Sequence, residues 1–191
     1  VIADWNKKDI YSTIEDLYSE VWVYGQKRVY DPIKEYDMPA SIGKKVHFTG
    51  YIPRKVPTES VADALRLQLN VMKNENLLTV TTGGGGDGLY VLDSYLKMIE
   101  KMKAHSILPP FQSVLVTGPF LSMNDKKMIL ERAEALGITA YDFFSDMETL
   151  IAASDIVVCM GGYNTICEAL SSKTMSLVIP RETPRKEQYI R

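Results

Sequence analysis

Histidine and cysteine are nearly absent, with two of each in 191 residues. The cysteines, Cys159 and Cys167, stand without further cysteine or dense histidine, so they form no zinc pattern and no disulfide framework. They read as buried thiols acting as small hydrophobes. His47 falls inside an expected strand and His105 in a polar turn before Pro109-Pro110, so both read as structural or exposed. No apolar run approaches the roughly 20 residues of a membrane span. A net charge of -2 without a basic stripe offers nucleic acid no electrostatic footprint. The start, Val1-Ile2-Ala3-Asp4-Trp5-Asn6, is quickly charged, so no secretory leader is expected in it. A reducing, cytoplasmic setting is expected, though an enzyme peripheral to a membrane would look the same. There is no initiating methionine, and the chain stops at Arg191 just after a charged segment that begins a helix. The sequence is therefore expected to be a piece of a longer protein. Repeats and low-complexity segments are absent too.

What is present suits a packed core: 46% of the residues are hydrophobic and 24% charged, as in soluble globular domains. Residues 1–20 suggest one or two helices, with Ile10, Ile14 and Leu17 at helical spacing. Val21–Gly25 and Val46–Tyr51 read as strands stopped by or near glycine. Between them Asp31-Pro32 marks a turn, Ile33–Tyr36 a short helix, and Pro39 and Gly43 a loop. Ile52-Pro53-Arg54-Lys55-Val56-Pro57 has the composition of a linker.

From there strands and helices alternate. Helices are expected over 60–69, 89–103, 125–136, 147–153 and 165–171, and strands over 77–81, 113–117, 138–141, 156–160 and 176–179. Gly137 is placed as the residue ending the third of these helices, and Asp146 as the cap opening the fourth. Apolar strands alternating with helices imply an α/β fold, a Rossmann-like parallel sheet with helices on both faces. Ligands of such sheets lie beyond the C-terminal strand ends.

Two glycine turns fall at that edge. In the second, Val157 to Met160 lead into Gly161-Gly162, then Tyr163-Asn164-Thr165 open a helix that carries Glu168. Glycine lets a ligand approach the backbone, and the helix N-terminus offers N–H groups and partial positive charge to a phosphate. Glu168, further into the helix, is suited to a ribose diol. The first turn, Thr82 to Gly88, satisfies G-x-G-x-x-G through Gly83, Gly85 and Gly88. The dinucleotide mechanism also needs an acid ending the next strand, which here runs into Gly118-Pro119-Phe120. No Lys-Ser/Thr follows the glycines, so the turn is not a P-loop. A nucleotide-handling domain remains, with tight strand–helix packing as the plainer role for the first glycines.

Together, Thr49-Gly50-Tyr51-Ile52-Pro53-Arg54, Thr82 to Gly88, Phe143 to Met147, Gly161 through Glu168, and Pro180 through Gln188 resemble the C-terminal, donor-binding domain of GT-B glycosyltransferases of the family 28 type. The resemblance covers roughly residues 46–191. It extends to the lipid-linked peptidoglycan N-acetylglucosaminyltransferase and uncharacterised predicted glycosyltransferases related to it. It implies three segments: 1–45 as the end of an acceptor-side domain, 46–57 as interdomain linker, and 58–191 as the donor-binding domain, truncated at its C-terminal end. It further implies a UDP-sugar donor, UDP-N-acetylglucosamine foremost, with no cofactor and no metal.

By the same resemblance, Gly161, Gly162, Tyr163, Asn164 and Thr165 would meet the diphosphate and Glu168 the ribose. Phe144 would meet the uracil through its backbone with Met147 nearby, Glu187 and Gln188 the sugar hydroxyls, and Arg54 the nucleotide. Gly83, Gly84 and Gly85 complete the donor set. The catalytic base is expected in an N-terminal domain of which only the last pieces are here, so the fragment should bind nucleotide without transferring sugar. The acceptor, lipid-linked or a small molecule, is not identified, and contact with a membrane would come through the missing domain. The sequence departs from the family at Gly85 and Gly86, where serine and glutamine are usual, at Arg185, and in Glu187-Gln188 for the usual Gln-Gln. Two other readings stand beside transfer: a non-catalytic donor-binding subunit, and a nucleotide-sugar 2-epimerase on the same scaffold.

Overall fold

The computed structural model describes residues 2–84, 86–107, 109–182 and 187–190. It divides into two compact units, Val1–Ile52 with Arg181–Arg191, and Pro53–Pro180.

The first unit contains α1 (Ile2–Lys7), α2 (Ile10–Leu17), β1 (Val21–Val23), α3 (Pro32–Glu35), α4 (Ala40–Gly43) and β2 (Val46–Phe48). The strands pair in parallel, Trp22 opposite His47. Lys45 fixes α2: its ammonium donates to the carbonyls of Glu15 and Tyr18 at 2.6 and 2.8 Å, at the helix end where a cation is favoured. Two expectations need correction. The short helix expected at Ile33–Tyr36 is present, but Asp31-Pro32 opens it instead of making a separate turn: Asp31 Oδ1 accepts from the Ile33 N–H at 3.1 Å, and Pro32 occupies the first helical position, where no N–H is needed. The stretch between Pro39 and Gly43 is the short helix α4 and not a loop, because Pro39 stands ahead of the first turn and Gly43 ends it.

In the second unit come α5 (Glu59–Gln68), β3 (Asn76–Thr81), α6 (Leu89–Ala104), β4 (Phe111–Val116), α7 (Met123–Ala135), β5 (Thr139–Tyr141), α8 (Met147–Ala153), β6 (Ile156–Cys159), α9 (Tyr163–Ser172) and β7 (Met175–Val178). All five strands are parallel, in the order β5-β4-β3-β6-β7. A short helix, α10 (Glu187–Ile190), belongs to the first unit. Residues 49–58 form neither helix nor strand.

Strand alternation sorts the core into two layers. Val80, Leu115 and Val158 pack on one face with Leu92, Leu96 and Ile99 of α6 and Ile129 of α7. Leu77, Val114 and Val116 pack on the other face with Leu150 of α8, and Val157 and Cys159 with Ile151 and Ala169. The buried hydroxyl of Thr79 meets that of Ser154 at 2.7 Å, and Ser154 donates to the Leu150 carbonyl, so polar groups in this layer are satisfied. Among the described residues, all four of edge strand β7 are exposed. The apolar pattern that implied cover on both faces holds for β3, β4 and β6 and fails there.

The helix boundaries carry their own chemistry. Asp146 Oδ1 accepts from the Thr149 N–H at 3.1 Å, and Ser122 Oγ from the Asp125 N–H at 3.2 Å. Gly137, at φ 69, follows α7; the Ile138 and Gly137 N–H groups close the helix on the Ala133 and Glu134 carbonyls at 2.8 and 2.9 Å.

Candidate functional site

Strand order locates the site. From β3 the chain goes to β4 and β5 on one side, then returns to place β6 and β7 on the other. The order reverses between β3 and β6, and a crevice opens where loops leave such neighbours in opposite directions. Thr81 pairs with Cys159, so the first glycine turn and Gly161-Gly162 leave adjacent strand ends. These lie about 5 Å apart by ordinary sheet spacing.

At Gly161 φ is 76, and a Cβ there would lie 2.8 Å from Val178 Cγ1. No other residue fits both restrictions without movement. Gly162 is the cap residue of α9, at φ -58 and ψ 144, and supplies no capping side chain. A Cβ at Gly162 would have nothing within 4 Å. The start of this ten-residue helix therefore has room beside it, no acid in its first turn, and the positive end of the helix dipole.

Three of the expected site residues converge on that helix. Arg54 Nη2 donates to Asn164 Oδ1 at 2.7 Å, and the Arg54 backbone N–H donates to Ser171 Oγ at 2.9 Å. The guanidinium thus lies along α9, with Nε buried and lacking an acceptor among the described residues. Glu168 is half-buried, and that burial raises its carboxyl above the usual range. Arg54 pulls the same group down, and Glu148 of α8 pushes it up. Burial holds the Cys159 thiol high, against a backbone hydrogen bond from Gly161, so Cys159 is a protonated core residue and not a nucleophile. Tyr163 is partly buried, Asn164 exposed and Thr165 buried on the same first turn.

The first glycine turn is interlocked with its neighbour. Gly118, at φ 86, brings the loop after β4 so close that a Cβ would lie 2.3 Å from the Gly83 carbonyl oxygen. The Phe120 N–H donates to the Gly84 carbonyl at 2.8 Å, and a Cβ on Gly84 would approach the Phe120 ring at 3.1 Å. A Cβ on Gly88 would strike Thr82 at 2.2 Å. Close packing thus accounts for the smallness of Gly84, Gly88 and Gly118. Gly83, at φ 64, needs glycine for its backbone alone. Gly85 lies outside the described residues.

The remaining expected residues belong to other elements. Phe144 packs into the core against Tyr141, ring centroids 5.2 Å apart, while Phe143 is exposed. Met147 begins α8 and touches both clusters on that sheet face. Glu187 and Gln188 belong to the first unit, where Gln188 Oε1 accepts from the Arg181 N–H at 3.0 Å. Arg185 lies outside the described residues. Sequence reasoning missed Gly118 and Phe120: the glycine was visible as a strand stop, but nothing local showed what it packs against. No group of three or more acidic, histidine or cysteine residues among those described could hold a metal ion.

Comparison with solved structures places this fold among glycosyltransferases. One from Rickettsia africae ESF-5 aligns with a TM-score of 0.58 at 16% identity, over 89% of this chain and 47% of its own. WaaG, a glycosyltransferase involved in lipopolysaccharide biosynthesis, aligns at 0.53 and 14% identity, over 90% of this chain and 51% of its own. The glycotransferase of kitacinnamycin aligns at 0.53 and 14%, over 98% and 44%. The chain spans about half the length of these structures. No curated protein sequence matches. The family description "Glycosyltransferase family 28 C-terminal domain" matches residues 79–190, from within β3 through both glycine turns to α10. That is more than half of the 191 residues, and the chain belongs to this glycosyltransferase family.

Proposed function

We propose that this chain forms the donor-binding part of a glycosyltransferase that takes its sugar from a uridine-diphosphate donor, UDP-N-acetylglucosamine. The observation that carries the reading is the meeting of Arg54 with Asn164 and Glu168 along α9, a helix whose start has no side-chain cap and lies at the reversal of strand order. The N–H groups from Gly162 to Thr165 would hold the diphosphate and Glu168 the ribose. The loop carrying Phe144 and Met147 would meet the base, with Gly83 and Gly84 beside the phosphates. Glu187 and Gln188 would meet sugar hydroxyls.

In transfer, an acceptor hydroxyl attacks the anomeric carbon, its proton goes to a base, and the bond from that carbon to the diphosphate breaks. Negative charge then grows on the diphosphate. The helix terminus and the Arg54 guanidinium are suited to stabilise it without a metal. We assign the base to the part of the enzyme that binds the acceptor, a lipid-linked or small molecule. No described helix is long and apolar enough to cross a membrane. We place the reaction in the cytoplasm or at a membrane surface.

Calorimetric titration with UDP, UDP-N-acetylglucosamine and NADH tests the reading. The uridine ligands should bind and NADH should not. Replacing Glu168 by alanine should weaken UDP by about 10- to 100-fold, the worth of a charged hydrogen-bond acceptor. Tight NADH binding with no UDP response would overturn the assignment. So would Glu168→Ala with unchanged affinity, for that residue. The isolated chain should bind donor without transferring sugar, and sustained transfer would refute the division of labour.

A further inference from the structure

Residues 49–58 form neither helix nor strand, so no regular structure holds Arg54 in place. It is nevertheless partly buried, between Pro53 and Lys55, which are exposed. Two hydrogen bonds to α9 account for this. The Arg54 backbone N–H donates to Ser171 Oγ at 2.9 Å, and Nη2 donates to Asn164 Oδ1 at 2.7 Å.

Asn164, Glu168 and Ser171 stand at positions i, i+4 and i+7 of α9, on one face of the helix. Asn164 and Ser171 are two turns apart, about 10 Å along the axis. Arg54 is thus pinned by its backbone near the end of α9, and its side chain runs back along that face to the first turn. Glu168 lies between the two anchors, and its carboxyl is pulled down by the guanidinium. A guanidinium only donates, so the bond to Oδ1 fixes which way the Asn164 amide lies. The NH2 of that amide is turned away from Arg54 and remains a donor beside the start of α9.

The two serines that end the helix act differently. Ser172 donates to the Glu168 carbonyl at 2.9 Å, one turn back in its own helix. Ser171 accepts from a residue 117 positions away. For the helix alone alanine would serve better at 171, so the hydroxyl matters for what it holds.

We propose that Ser171 is a positioning residue for the donor diphosphate: it fixes the Arg54 backbone so that the guanidinium reaches the start of α9 and orients the Asn164 amide there. This rests on the nucleotide reading and adds to it a residue two turns away from the expected phosphates. Without the hydroxyl the Arg54 N–H loses its acceptor and the segment gains freedom, and ordering it again opposes binding of the anion.

Calorimetric titration of the full chain compares UDP with uridine, which lacks the phosphates. Ser171→Ala should weaken UDP about fivefold and leave uridine within about twofold, whereas a general fold defect would weaken both. Ser171→Thr keeps the hydroxyl and should bind UDP within about twofold of the parent. Ser172→Ala is the neighbouring control: it should lower the melting temperature and leave UDP affinity unchanged. Arg54→Gln should weaken UDP about tenfold, and adding Ser171→Ala to it should cause no further loss, because the residue being positioned is gone. A further fivefold loss in that background would overturn the proposal. So would unchanged UDP affinity in Ser171→Ala, an equal loss for UDP and uridine, or a threonine variant as weak as the alanine one. A parent chain that binds no UDP overturns the nucleotide reading and this role with it. A parent that binds UDP, matched by Ser171→Ala, overturns this role alone.

Discussion

Gly162→Asp should have opposite effects on folding and on binding. The cap position already has the extended backbone that a capping residue adopts, φ -58 and ψ 144, and a Cβ there would meet nothing within 4 Å. Aspartate therefore fits without strain, and its carboxylate can accept from the N–H of Asn164 or Thr165. The cap contributes a few tenths of a kcal/mol over glycine, and the helix dipole adds about 0.3–1 kcal/mol. The melting temperature should stay level or rise. Binding should move the other way, because the new carboxylate stands where the phosphate is expected. Two unit charges at about 4 Å repel by roughly 4 kcal/mol at the effective dielectric of a protein surface. If screening removes half, about 2 kcal/mol remains, a loss of about thirtyfold in UDP affinity. Thermal melts and calorimetric titration measure the two effects, with Gly162→Ala as the uncharged control, expected to bind within about threefold of the parent. An aspartate variant that binds UDP within the same margin would remove the anion from the start of α9.

Burial-raised ionisation of Glu168 gives a second expectation. The folded state holds this proton more tightly than the unfolded chain, whose glutamate titrates near about 4.3. Stability contributed by the group is therefore present at low pH and lost as pH rises through its folded value. Glu168→Gln should melt above the parent at pH 7, with the gap closing below about pH 4; a variant melting below the parent at pH 7 contradicts this. Gly118→Ala should destabilise by about 3–5 kcal/mol. A non-glycine residue at φ 86 costs about 1–3, the overlap with Gly83 forces the loops apart, and the Phe120 hydrogen bond is worth about 1. Denaturant unfolding reads it, and a loss under about 1 kcal/mol would mean the two turns are not interlocked as described.

Legibility followed the distance over which each signal acts. α8 was expected over the residues it occupies, because Asp146 and the apolar spacing after it are local. The order of strands and helices in the second unit was likewise carried by β-branched runs with glycine stops. The opening of α3 was misread because Asp-Pro serves both a turn and a helix start, and only the Ile33 hydrogen bond separates them. Gly118 could not be assigned a purpose, since the carbonyl that excludes its side chain belongs to Gly83, 35 positions earlier in the numbering. Arg54 and Asn164 stand 110 positions apart, and family likeness, not spacing, put them in one set.

The reversal of strand order also bears on how the second unit assembles. Leu78 pairs with Ser113 across 35 positions and with Ile156 across 78. Closing the longer loop costs about 0.7 kcal/mol more in chain entropy, and β4, α6 and α7 can form one layer of the core before β6 arrives. On that entropy alone, β6 is expected to join β3 after β3 and β4 have paired, at the seam where the two glycine turns are brought side by side. A nucleotide lying across that seam would act as a clasp on the later contact. Amide hydrogens of β6 should exchange markedly slower when UDP is bound, while those of β4 change little.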